Sequence, residues 1–236
     1  RLALCCPGAL RCICKAATIE IRAFTAADVP KLAWALAALR TDVTLAEASP
    51  LLHVLAGAAL THAAELSPQG IANLAWAFAK LGPAGSDTAR PLLFERLGKA
   101  VLTHISSFDT QHLANLAWAS ASTGLTLGPG VQIALFEESL AKMGQFTPQG
   151  LSSLAWASTS SAVTDPRLFR TISREAVARI RDFAPQGLSN MMWAIATLNL
   201  DDGDLVCAMA RASAAKVQSF KSQEACNSIW SLARLG

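Results

Sequence analysis

One twelve-residue phrase recurs six times, and no other feature restricts the fold as much. The copies are FTAADVPKLAWA from Phe24, LSPQGIANLAWA from Leu66, FDTQHLANLAWA from Phe108, FTPQGLSSLAWA from Phe146, FAPQGLSNMMWA from Phe183 and FKSQEACNSIWS from Phe220. They contain all 6 Trp residues of the chain: Trp34, Trp76, Trp118, Trp156, Trp193 and Trp230. Differences between successive Trp numbers give a period of 42, 42, 38, 37 and 37 residues. A period of this size is the mark of a solenoid, whose units bury their apolar faces only by stacking on one another. The expected fold is therefore all-α, an α-solenoid of two-helix repeats of about 37–42 residues with a right-handed superhelix.

The expected layout is an array over 24–236. It holds five full repeats (24–65, 66–107, 108–145, 146–182 and 183–219) and a half repeat (220–236). Residues 1–23 read as the second helix of a preceding repeat, since Ala17, Ile21 and Phe24 repeat the spacing of Val101, Ile105 and Phe108. The alternative is the remnant of a targeting segment, because Arg1, Arg11 and Lys15 precede the first acid, Glu20.

In each unit the Trp-bearing helix is A and the next is B. Thr25, Ser67, Asp109 and Thr147 stand where an N-cap belongs. Pro68, Pro148 and Pro185 follow at the first helical position, where a missing N–H costs nothing. Phe24, Phe108, Phe146 and Phe183 each precede an aliphatic residue by five, the spacing of a hydrophobic staple. Gly82 and Gly124 look like C-terminal caps. Ser49-Pro50 and Asp165-Pro166 mark two starts of helix B. The Phe-to-Trp distance never changes, so the length variation is expected in A–B loops near 40–49, 82–90, 124–129, 161–165 and 199–203.

At 100° per residue helix A has two faces. Leu151, Leu154, Ser158 and Ser161, with counterparts such as Ile71, Leu74, Phe78 and Leu81, or Leu188, Met191, Ile195 and Leu198, form the stripe expected to pack on helix B. The opposite side carries an amide column beside the Trp. Its members are Gln69, Asn73 and Lys80; Gln111, Asn115 and Ser122; Gln149, Ser153 and Ser160; Gln186, Asn190 and Thr197; Gln223, Asn227 and Arg234. The first unit departs, with Ala27, Lys31 and Ala38.

Amides can hydrogen-bond base edges and aromatic rings can stack on bases, so this column is the candidate RNA-binding surface. The plainer role for Trp is a buried wedge between repeats, and amides can instead clamp backbone groups. A residue that never varies cannot tell bases apart. Discrimination is therefore expected four residues after each Trp. A second column lies fourteen residues before each Trp: Glu20, His62, His104, Lys142, Arg179 and Lys216. Cations there suit a helix C-terminus; the alternative is a ladder of phosphate contacts through His62, His104, Lys142, Arg179 and Lys216.

Other chemistry is thinly represented. The 6 Cys include four within the first fourteen residues, without a second cluster at zinc spacing, so free thiols are expected. The 4 His lie on different helices, and there is no phosphate loop or nucleophile elbow. No catalytic residue, metal or cofactor is expected. Composition, 52% hydrophobic and 16% charged, fits a well-buried chain, and no stretch is long and apolar enough to suggest membrane insertion. The formal net charge of +3 permits a polyanion partner without requiring one.

The phrase Phe-x-Pro-Gln-x-Leu-x-Asn-Leu-x-Trp-Ala, clearest at Phe183–Ala194 and close at Leu66–Ala77 and Phe146–Ala157, resembles the octotricopeptide repeat. That is a family of organellar helical-repeat RNA-binding proteins, and the resemblance runs from about residue 24 onward. It implies a nuclear-encoded protein imported into a mitochondrion or chloroplast. There it would bind single-stranded RNA sequence-selectively and act in RNA stability, processing or translation. The alternative is a structural or scaffold subunit of a large organellar assembly such as a mitoribosome, with other proteins of an RNA or ribosomal complex as partners. Some relatives carry a nuclease-like module, to which nothing here corresponds.

Overall fold

The computed structural model describes residues 7–39, 44–82, 89–125, 127–128, 130–160, 165–200 and 202–236. Those residues form twelve α-helices and no strand. The A helices are α2 (Asp28–Ala38), α4 (Pro68–Leu81), α6 (Thr110–Thr123), α8 (Pro148–Thr159), α10 (Pro185–Thr197) and α12 (Ser222–Leu235). Alternating with them are α1 (Pro7–Ile19), α3 (Thr44–Thr61), α5 (Ala89–His104), α7 (Val131–Ala141), α9 (Pro166–Ala178) and α11 (Gly203–Ala215). The fold is an α-solenoid of two-helix repeats.

The chain divides into two compact units. The first comprises residues 1–107 and 125–131, the second residues 108–124 and 132–236. Within the first, α2 packs on α4, while α1 packs on α3 and α3 on α5. Within the second, α6, α8, α10 and α12 stack in sequence, and α9 packs on α11. In both units A helices therefore stack on A helices and B on B, which makes two layers with the apolar stripes between them. Those stripes are the ones expected: Ile71, Leu74, Phe78, Leu81, Leu151, Leu154, Ser158, Leu188, Met191 and Ile195 are all buried. Leu198 is half-buried, and Ser161 lies outside the described residues. The facing stripes of the B helices, Leu93, Leu97 and Val101 or Leu168, Ile172 and Ala176, are fully buried.

Local chemistry explains how each A helix begins. Five B helices run into a single 3-10 turn: Ile21–Ala23, Ile105–Ser107, Met143–Gln145, Ile180–Asp182 and Val217–Ser219. At four of these turns the next Phe closes the turn through its N–H and then leaves in extended backbone, as Phe146 does at φ −66°, ψ 140°. The cap follows. The Ser67 and Thr147 hydroxyls accept from the N–H of Gly70 and Gly150, and the Asp109 carboxylate accepts from His112. Pro68, Pro148 and Pro185 occupy the first helical position. At the other end Gly82 and Gly124 take positive φ (75° and 64°), which a residue with a Cβ adopts at a cost.

Two boundaries differ from the sequence reading. Thr25 does not cap α2. Its N–H and hydroxyl both donate to the Asp28 carboxylate, at 3.1 and 2.6 Å, and the helix starts only at Asp28. This unit has Ala26 where three others have Pro68, Pro148 and Pro185, so nothing presets helical φ straight after Thr25. These bonds also hold the Asp28 carboxyl below its ordinary range, the Thr25 hydroxyl contributing most. Nor does Ser49-Pro50 start α3, which begins at Thr44 and carries Pro50 inside it. A proline removes one helical hydrogen bond and crowds the preceding turn. Pro50 lies on the exposed side, while Leu51, Leu52 and Leu55 anchor the helix in the core. Asp165 does cap α9, accepting from the Arg167 N–H at 2.8 Å. Of the expected A–B loops, residues 40–43, 83–88, 126, 129, 161–164 and 201 lie outside the described residues.

The aromatic residue before each cap is the energetic centre of its repeat. Phe108, Phe146 and Phe183 are all at most 1% exposed. Truncating one leaves a cavity between layers, so Phe146→Ala is expected to cost about 3–5 kcal/mol in chemical denaturation. Gln149→Ala, three residues on and exposed, should stay within about 0.5 kcal/mol of the parent.

Candidate functional site

On α8 the residues Gln149, Ser153, Trp156 and Ser160 fall within about 60° of one another at 100° per residue. They lie opposite the buried Leu151, Leu154 and Ser158. The column is therefore the outer face of the A layer. Gln149 and Ser160 are exposed, and Ser153 and Trp156 are half-buried. Every Gln of the column, Gln69, Gln111, Gln149, Gln186 and Gln223, is exposed; Asn73, Asn115, Ser153, Asn190 and Asn227 are half-buried. In the first unit's α2 the equivalents Ala27, Lys31 and Ala38 are exposed.

None of the six Trp residues is fully buried. Trp34 and Trp230 are 49% and 45% exposed, and the other four are half-buried. The reason lies in the flanks. Small residues such as Ala155, Ala157 and Ser152 are buried and bring neighbouring A helices together, so little depth is left for an indole between them. Trp156 and Trp193 meet instead along the top of the layer, with ring centroids 6.3 Å apart and planes tilted by 32°. Each keeps an aromatic surface turned to solvent.

The residues after each Trp vary in kind. Ser122 is exposed and its hydroxyl donates to the Trp118 carbonyl at 2.7 Å. Lys80 lies over Trp76, its Nζ 4.5 Å from the ring centroid. Arg234 lies 5.5 Å from the Trp230 centroid and donates through Nε to the Ala196 carbonyl at 3.0 Å. Thr197 is half-buried as a residue, and its hydroxyl is buried without a hydrogen-bond partner among the described residues. Gln111 donates to the Asn115 side chain at 2.9 Å, which fixes the orientation of both amides. The outer face thus offers amide donors and acceptors, with aromatic surface about one turn beyond the Asn and about two turns beyond the Gln. That combination suits flat, hydrogen-bonding rings.

The basic column sits elsewhere and has work of its own. Lys142 Nζ donates to the Phe108 carbonyl at 2.6 Å, and Arg179 Nη1 donates to the Phe146 carbonyl at 2.6 Å. Lys216 Nζ donates to the carbonyls of Phe183 and Arg181, both at 2.7 Å. Each cation therefore reaches back one repeat to the Phe that precedes the helix A cap. Lys142 and Arg179 also pair with Glu138 and Glu175, at 2.8 and 3.2 Å. His62 lies 3.7 Å from Glu65, and His104 is exposed. The sequence reading missed these partners, which lie 33 or 34 residues away; the signal was a basic residue and a Phe both fixed in the repeat.

Cys12, Cys14, Cys207 and Cys226 are free thiols, and Cys5 and Cys6 lie outside the described residues. No group of His, Cys, Asp and Glu that could hold a metal ion occurs among the described residues. Nor is any described helix long and apolar enough to cross a membrane.

The clamp makes a direct prediction. Lys216→Met keeps the stem's volume but leaves the Phe183 and Arg181 carbonyls without their donor, and it should destabilise the protein by about 1–3 kcal/mol. Lys221→Met, a nearby exposed cation, should change stability by less than about 0.5 kcal/mol in the same thermal or chemical unfolding assay.

No curated protein matches the chain. The family model described as RNA-editing substrate-binding complex 6 protein matches residues 9–236, which takes in eleven of the twelve helices whole and most of α1. A match over nearly the whole array, on a chain of stacked two-helix repeats with an outer amide and Trp column, places this chain in the RNA-editing substrate-binding complex 6 protein family.

Proposed function

We propose that the chain binds single-stranded RNA sequence-selectively through the outer face of its A helices, and acts in the stability, processing or translation of that RNA within an organelle. The observation that carries this reading is the exposed Gln column beside half-exposed Trp rings. Exposed amides at the same position of five repeats bury no apolar surface, so their recurrence points to a polar ligand. The family's association with an RNA-editing substrate-binding complex agrees with it, as does the resemblance to octotricopeptide repeats. Each repeat would take about one base, by analogy with other helical-repeat readers. The invariant Gln and Trp would hold bases of any kind. Lys80, Ser122, Ser160, Thr197 and Arg234 would discriminate among them. The protein has no catalytic role in this reading, and it is imported into a mitochondrion or chloroplast.

Selection from a randomised single-stranded pool, read at two salt concentrations, tests this. An enriched motif of about five or six nucleotides is expected. Asn115→Ala with Asn190→Ala should lower affinity for that motif about tenfold or more, for two lost base contacts, while the melting temperature stays near the parent's. Unchanged affinity in a folded double variant would sink the proposal.

A second reading, a scaffold subunit of a large organellar assembly, is favoured by one observation. On α12 Ile229, Trp230 and Leu232 are 69%, 45% and 41% exposed, an apolar surface suited to protein contact. A stoichiometric protein partner that survives nuclease treatment, together with no motif from the pool, would favour this reading.

A further inference from the structure

The outer face of the A layer is nearly uncharged in the second unit. From α6 to α10 it presents Gln111, Asn115, Gln149, Ser153, Gln186 and Asn190 and no cation. Apart from Lys221 and Arg234 at the two ends of α12, the exposed helical cations of that unit are on the other layer. On α9 Arg170 and Arg174 lie 40° apart at 100° per residue, on the side away from the buried Leu168, Ile172 and Ala176. Arg211 occupies on α11 the position that Arg174 occupies on α9, 37 residues on, the same interval that separates Trp193 and Trp230. α9 packs on α11, so the three belong to one exposed surface.

Lys15 on α1 and Arg96 on α5 are exposed singly, and other exposed cations of the B helices are neutralised. Lys99 pairs with Glu95 at 2.8 Å. Arg167 pairs with Glu137 at 2.6 Å and Asp165 at 2.8 Å. The Arg167 guanidinium holds the Asp165 carboxyl below its usual range, and Arg167 itself is pushed up. Arg170, Arg174 and Arg211 differ. None makes a hydrogen bond or ion pair with any described residue. Three exposed guanidiniums are thus set about 6 Å apart along one helix and about 8–10 Å apart across two. Nothing in the repeat's own packing uses them.

We propose that Arg170, Arg174 and Arg211 form a second RNA-binding site, on the B layer, that grips the phosphates of a further RNA segment without reading its bases. Planar guanidiniums match phosphate oxygens in a bidentate fashion. An acidic protein segment could meet the same groups. Phosphate is favoured because the A face from α6 to α10 supplies amides and rings but no cation for an RNA backbone, and because the family is that of an RNA-editing substrate-binding complex. This inference rests on the RNA-binding reading above and adds to it a separate, sequence-independent site on the opposite side of the repeats.

The test uses the full chain and a uridine homopolymer RNA, with affinity measured across a salt series. In the triple variant Arg170→Gln, Arg174→Gln, Arg211→Gln the slope of log K against log salt should become shallower by about 2, three phosphate contacts at ~0.7 each. Pool selection with the same variant should return the parent's motif. A control triple variant in the first unit, Lys15→Gln, Arg22→Gln and Arg96→Gln, removes as many exposed charges and should leave the slope near the parent's. A parental slope in the folded arginine variant overturns the inference alone. So does an equal change in the control, which would reduce the effect to net charge. Retained RNA binding with lost binding to a poly-glutamate peptide would also overturn it and assign the surface to an acidic partner. Failure of the parent chain to bind any RNA would overturn the RNA-binding reading itself.

Discussion

Everything on the outer face follows from how near one A helix comes to the next. The third residue of three A helices is glycine, and a Cβ there would have little room. At Gly150 it would lie 3.0 Å from Phe146 Cδ1 and 3.8 Å from the Ala114 Cβ of the neighbouring A helix. At Gly187 it would lie 3.1 Å from Phe183 Cδ1 and 3.5 Å from the Ser152 hydroxyl of its neighbour. The buried Phe ring folds over the helix start, and the neighbouring helix closes on the same spot. Pro at the first position, Gly at the third and Ala or Ser along the flanks all serve this contact. Because the contact is nearly the same at Gly150 and Gly187, the outward residues of α6, α8 and α10 repeat at nearly constant spacing. A ladder of amides is the consequence of that regular stacking.

The close approach leaves a polar debt at the same place. Phe108, Phe146 and Phe183 are extended, lie between a 3-10 turn and a cap, and belong to neither regular element. Their carbonyls have no helical partner, and an unpaired buried carbonyl is costly. Lys142, Arg179 and Lys216 supply the donors from the end of the following B helix. The Phe ring therefore joins the two layers by apolar burial while its backbone joins successive repeats by a charged hydrogen bond. A cation committed in this way is a poor phosphate ligand, since releasing it would strand the carbonyl.

Much of this was legible because the decisive chemistry is local. Ser67-Pro68-Gln69-Gly70 states its own helix start, and a spacing that never changes between Phe and Trp fixes the A helix without knowledge of its neighbours. Errors arose where a local signal had two structural meanings. Ser49-Pro50 reads as a helix start, yet a proline on a solvent-facing side is tolerated in the second turn of α3 when apolar anchors follow. Thr25 reads as a cap, yet with Asp28 three residues on it becomes a donor instead of an acceptor. What could not be read was reach. The register of Lys142 against Phe108 depends on how two repeats superpose, and the depth available to a Trp depends on how near two helices come. Hydrophobicity argues for burying an indole; the small flanking residues leave it half outside.

That half-exposure bears on how a repeat array can discriminate. On the proposed reading, a ring present in every repeat and an amide present in five of six would give every nucleotide the same welcome and contribute affinity and register. Selectivity must come from groups that differ between repeats and are held firmly enough to penalise a wrong partner. Arg234 meets that requirement through its bond to the Ala196 carbonyl and its position against Trp230. Lys80 is placed over Trp76 in the same way. Ser122 and Ser160 are short and exposed, and they penalise a mismatch less. On the proposed reading, selectivity would come chiefly from the repeats whose variable residue is fixed by its own Trp, α4 in the first unit and α12 in the second.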